Sequence, residues 1–97
     1  MVTSEVVADV EPAGRDRYES FMRDRHIPDV FATGCFHSVA FERSGAGRYR
    51  IRYQASSPDD VDRYLRDHTA RLRADFAAHF PSGATLAREV WTELQRW

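Results

Sequence analysis

Residues 48–54 read RYRIRYQ. Tyr49, Ile51 and Tyr53 alternate with Arg48, Arg50, Arg52 and Gln54, the period-two signature of a strand with one apolar and one polar face. Such a strand needs neighbours to complete its backbone hydrogen bonds and a second layer to cover its apolar side. The neighbours can be read nearby. CFHSVAFER (35–43) also alternates, with Phe36, Ser38 and Ala40 on one side and His37, Val39 and Phe41 on the other. SGAG (44–47) between the two runs is a hairpin loop. SEVVADV (4–10) and TLAREVWTEL (85–94) supply two further strands.

The segments between them change period. From Arg15 to His26 the apolar positions Tyr18, Phe21 and Met22, with His26 four further on, share one helical face. Pro28 disfavours helical geometry at Ile27, so the spacing predicts a helix that stops near His26. PDVFATG is then a short turn or an extra helical turn, closed by Gly34. In the second helix Ser57 is the N-cap, Pro58 the first helical position, and Asp60 lies three past the cap. Its stripe is Val61, Tyr64, Leu65, Leu72, Phe76 and Phe80, with His68 inside it, and PSG (81–83) ends it.

The order β-α-β-β-α-β in 97 residues implies one α+β domain spanning 1–97. Two right-handed crossovers around a hairpin give a ferredoxin-like four-stranded antiparallel sheet with both helices on one face. The other face is then bare, carrying either Arg50 and Arg52 or Tyr49, Ile51 and Tyr53. A bare face of this kind predicts a homodimer joined through its sheets.

Composition excludes several classes. A formal net charge of −1 argues against nucleic-acid binding, which rests on a basic surface. No apolar run is long enough for a membrane span, and no signal peptide is visible, so a cytoplasmic location is expected. All fourteen basic residues are Arg, each a planar, permanently charged fork suited to carboxylates or phosphates. The single cysteine, Cys35, cannot form an internal disulfide and reads as a small buried residue. Four histidines without metal-ligand spacing predict no metal site, and no cofactor motif occurs.

His26 is the first chemical candidate, as a general acid or base where the chain leaves helix one; a residue capping the helix end is the competing reading, and spacing alone favours the latter. Asp29 is its candidate orienter, against a solvated turn acid. Tyr18, Met22, Phe36, Tyr53 and Trp91 are candidate walls of a groove, with His68 beside them; most of the aromatic set could equally be core. Arg52 or Arg50 could bind a carboxylate or enolate. His37 and His68 each read as a hydrogen-bonded half-core residue sooner than a ligand, and His79 as a surface residue.

RYESFMRDRHIPDVFATGCF and RYRIRYQASSPDDVDRYLRDHTARLRADFAAHF carry a pattern that resembles domain-of-unknown-function family 4286. The shared positions are Tyr18, Met22, His26, Ile27, Pro28, Val30, Thr33, Gly34, Phe36, Tyr49, Ile51, Tyr53, Ser57, Tyr64, Leu65, His68, Leu72, Arg73 and Phe80. The resemblance implies membership of the dimeric α/β-barrel group, with two ferredoxin-like subunits facing through their sheets. It also implies a histidine beside the pocket, which brings the two readings of His26 level. The expected function is a small cofactor-independent enzyme of bacterial natural-product biosynthesis. It would use acid/base chemistry on a carbonyl-containing intermediate, as a cyclase, dehydratase, isomerase or hydrolase. The alternative is a non-catalytic dimeric module that binds a hydrophobic metabolite or a partner enzyme. Haem binding through His26 or His68 is a third reading.

Overall fold

The structure is a computed structural model describing all residues from Met1 to Trp97. Four strands, β1 (Val2–Val10), β2 (Ser38–Arg43), β3 (Arg48–Ala55) and β4 (Ala84–Thr92), form one antiparallel sheet in the order β2-β3-β1-β4. Helices α1 (Arg15–Phe21) and α2 (Ile27–Phe31) connect β1 to β2, and α3 (Pro58–Asp67) and α4 (Thr69–His79) connect β3 to β4. The fold is the expected ferredoxin-like α+β arrangement.

Register decides which face is covered. Val6 pairs with Ile51 and with Arg88, and Ala8 with Tyr49 and with Leu86. These side chains therefore share one face, and Tyr49, Ile51, Ala8 and Val10 lie in the core beneath the helices. Arg48, Arg50 and Arg52 of β3 point the other way, with Val7 of β1 and Ala87 and Trp91 of β4. The polar half of RYRIRYQ is thus the bare face.

Three local expectations are corrected. The first helix does not stop at His26. A π-helical turn, Met22–His26, carries the axis through to α2, and Ile27 is fully helical at φ −64°, ψ −44°. Ile27 N–H donates to the Met22 carbonyl, five residues back. The widened turn relieves the carbonyl crowding that a proline four residues later imposes on a regular helix, so Pro28 enters near the start of α2. The second helix is broken at His68, φ −127° and ψ −29°. There the buried Thr69 hydroxyl donates to the Tyr64 carbonyl at 3.3 Å, an alternative to the regular helical ladder. Finally, the alternation assigned to 35–43 begins only at Ser38. Gly34, at φ +75°, turns the chain so that Cys35 and Phe36 are buried in succession and His37 is exposed.

Candidate functional site

Between the covered face and the helices lies a cavity of about 310 Å³. Its floor comes from β1, β3 and β4 through Val6, Ile51, Tyr53 and Leu86, and its roof from Tyr18, Met22, Tyr64 and Phe76. Leu65 and Val90, 47% and 51% exposed, mark its mouth, where the helices leave β4 uncovered. Predominantly apolar walls with a few polar groups are the usual composition of a small-molecule site.

His26 reaches this cavity from the π-helical turn. Its ring sits 5.9 Å from Phe21 and 5.8 Å, edge on, from Phe76. Its Nδ1 is buried and has no hydrogen-bond partner, the one such side-chain atom in the molecule. Loss of solvent around the ring lowers its pKa, and the Arg88 charge adds to this. Asp75 and Asp29 act in the opposite direction without overcoming it. The imidazole is therefore held toward its neutral form, with one nitrogen free to bond a ligand. Asp75 does not orient it directly: that carboxylate is held by Arg25 through two bonds of 3.0 and 2.7 Å.

Tyr18, Met22 and Tyr53 of the sequence-based set line the cavity together with His26. Asp29 does not bond His26; it is exposed on the outer side of α2. Phe36 is buried one layer behind, 5.4 Å from Tyr53 and 5.0 Å from Tyr64, and its ring supports those walls. His68 stands at the helix break, its Nδ1 3.3 Å from an Arg71 nitrogen. Arg52 and Trp91 lie on the bare face, because each is one residue out of phase with the covered positions of its strand. Arg50 and Arg52 both donate to Glu42 at 3.0 Å. His79 is half-buried rather than on the surface, stacked on Phe21 at 4.5 Å and bonded to the Asp75 carbonyl.

Sequence reasoning missed Arg73 and Arg88, which both line the cavity. The signal for Arg88 was present: in TLAREVW it alternates in phase with Leu86 and Val90, an arginine on an apolar stripe. Arg88 is exposed overall, yet partial loss of solvent around its guanidinium and the neighbouring Arg73 charge lower its pKa. Burial likewise raises the phenol pKa of Tyr18, Tyr53 and Tyr64, which therefore stay protonated. No three His, Cys, Asp or Glu groups stand together in a way that could hold a metal ion, and no helix is long and apolar enough to cross a membrane.

A family model described as a domain of unknown function, DUF4286, matches residues 1–94. The sequence matches no curated protein. Solved structures share the architecture at low identity. A protein from Deinococcus radiodurans, provisionally named an antibiotic biosynthesis monooxygenase, is 12% identical with a TM-score of 0.72, over 100% of this chain and 96% of its own. Rv0793 from Mycobacterium tuberculosis is 14% identical with a TM-score of 0.68, over 99% and 98%. A protein from Bordetella bronchiseptica with the same provisional monooxygenase name is 19% identical with a TM-score of 0.61, over 91% and 94%. The recurrence of oxygenase names among these neighbours overturns the expected acid/base function: cyclase, dehydratase, isomerase and hydrolase chemistry on a carbonyl intermediate does not match it.

Proposed function

The chain belongs to the DUF4286 family, and from that premise we propose that it is an oxygenase-type protein acting on a small apolar molecule held between sheet and helices. The observation that carries this reading is the cavity itself, about 310 Å³, with apolar walls and His26 in its lining. The names of structural neighbours supply the reaction class. His26 would bond an oxygen or hydroxyl of the bound molecule, and Tyr18, Met22 and Tyr53 would fix the plane of its rings.

An electron-rich phenol can supply every electron such a reaction needs. Oxidation of a dihydroxynaphthalene by one dioxygen gives a hydroxynaphthoquinone and water: one oxygen atom enters the ring and the other leaves as water. The test is incubation of the protein with a dihydroxynaphthalene under isotope-labelled dioxygen, followed by mass spectrometry. Labelled quinone formed above the uncatalysed rate by the native chain, and not by a cavity-filled Val6→Phe variant, supports the reading. Equal rates with native chain, variant and buffer would sink it.

The functional unit in this reading is a homodimer joined through the bare faces. Charge placement supports it. Glu5 and Glu89 are directly opposite each other across β1 and β4, an unfavourable like-charge pair, while β3 presents Arg48, Arg50 and Arg52. A twofold arrangement would set one subunit's arginines against the other's carboxylates. Light scattering should give twice the chain mass of 11.2 kDa, and Val7→Glu, on the middle of that face, should give the single-chain mass. A native chain that scatters as a monomer at micromolar concentration rules the dimer out.

A further inference from the structure

Two of the fourteen arginines stand apart from the rest. The others all engage a carboxylate, a carbonyl or a histidine ring: Arg25 holds Asp75, Arg43 holds Glu19, Arg48 holds Asp9, and Arg50 and Arg52 share Glu42. Arg63, Arg66, Arg96 and Arg23 have acidic partners, Arg15 and Arg17 donate to carbonyls, and Arg71 meets His68. Arg73 and Arg88 make no hydrogen bond and no ion pair, and they line the same cavity.

Chance placement accounts poorly for this. Arg73 comes from α4 and Arg88 from β4, so they converge from opposite layers onto one space. Their charges lie close enough to repel, and Arg88 is partly desolvated besides. No carboxylate relieves them. Glu89 also borders the cavity, but its register opposite Glu5 directs its side chain to the bare face. Both side chains are exposed at the rim of the apolar space, so two like charges stand there within reach of an anion arriving from solvent.

We infer that the cavity recognises a small amphipathic carboxylate, its apolar body between Tyr18, Met22 and Phe76 and its carboxylate between the Arg73 and Arg88 guanidinium groups. This rests on the cavity reading of the preceding subsection and adds the charge of the ligand to it. The planar forks match a carboxylate in geometry and sign. The apolar space is about twice the ~150 Å³ cavity known to hold benzene, which sets the body at one or two rings. His26, which also lines the cavity, meets a polar substituent on that body.

The experiment is calorimetric titration with naphthoate and with naphthamide, which has the same shape without the charge. The native chain should bind naphthoate at least about tenfold more tightly than the amide. That preference should weaken as salt rises. A double Arg73→Gln, Arg88→Gln variant, checked for unchanged circular dichroism, should lose the preference while still binding the amide. A single Arg50→Gln variant should keep the full preference. If the amide binds the native chain as tightly as naphthoate does, the carboxylate inference fails and the apolar cavity stands. If neither binds, the inference and the cavity reading fail together. If the double variant keeps the preference, the arginines are not the recognition groups.

Discussion

The two faces of the sheet use arginine in opposite ways. On the bare face Arg50 and Arg52 close on Glu42, each at 3.0 Å, and Arg48 closes on Asp9 at 2.8 Å. On the covered face Arg88 stands with Arg73 at the exposed rim of the apolar cavity, and neither makes an ion pair. The first arrangement pairs each of these guanidinium groups with a carboxylate of its own subunit. The second is left with net positive charge and an unbonded imidazole nitrogen, so its free energy improves when something of complementary chemistry arrives. One strand residue of phase separates the two situations: Trp91 and Glu89 face out while Arg88 and Val90 face in.

That contrast can be broken most forcefully at the cavity roof. Tyr18 is fully buried and touches Tyr49, Phe80, Phe41 and Phe76, so it joins the helical layer to the sheet. Tyr18→Ala should cost about 3–5 kcal/mol in denaturant unfolding, as large-to-small changes at buried aromatics do. A loss under ~1 kcal/mol would mean the roof is not part of the core.

His26 sharpens the comparison. A buried nitrogen without a partner costs stability, so His26→Leu should leave the fold unharmed or stabilise it by about 1 kcal/mol. The same change should weaken ligand binding, the usual opposition of stability and function at a built site. Destabilisation of several kcal/mol would show instead that the imidazole is a structural bond we have not located.

The pH dependence has a definite sign. The folded-state pKa of His26 lies below the ordinary 6.5, so the unfolded chain binds a proton more readily than the folded one. Its contribution is present in full above pH 6.5 and is lost as pH falls toward the lowered folded value. Asp75, Asp29 and Arg88 are the charges that tune this shift. Denaturation curves between about pH 7 and 5 should slope toward instability in the native chain and less so in His26→Leu. Equal slopes would remove the imidazole from the explanation.

The smallest effect belongs to the bare face. Arg50→Gln should change the stability of a single subunit by at most about 1 kcal/mol, because exposed ion pairs exchange hydration for little net gain. A larger loss, at a protein concentration where the assembly state is unchanged, would mean that the pair is structurally committed.

Much of this architecture was legible in the chain because it rests on local periodicity. RYRIRYQ showed two faces, SGAG a hairpin, and the helical stripes the covering layer. What escaped depends on non-local competition. The proline rule correctly disfavours a helix at Ile27, yet the packing of Met22, Val30 and their neighbours against the core outweighs it and a π turn absorbs the conflict. The stripe through His68 looks continuous in sequence, yet the helix is interrupted there at φ −127°. The site was half legible. Tyr18, Met22, His26 and Tyr53 could be picked from type and spacing, whereas Arg52 was placed by type alone. Strand phase, which separates Arg52 from Arg88, needed the register.

The central claim is that the covered face receives a ligand and the bare face does not. Arginine side-chain and histidine-ring NMR signals during a naphthoate titration test it directly. The account predicts that the signals of Arg73, Arg88 and His26 move together with a common affinity while those of Arg50 and Arg52 stay fixed. Movement at Arg50 and Arg52, with His26 and the cavity arginines silent, would contradict it.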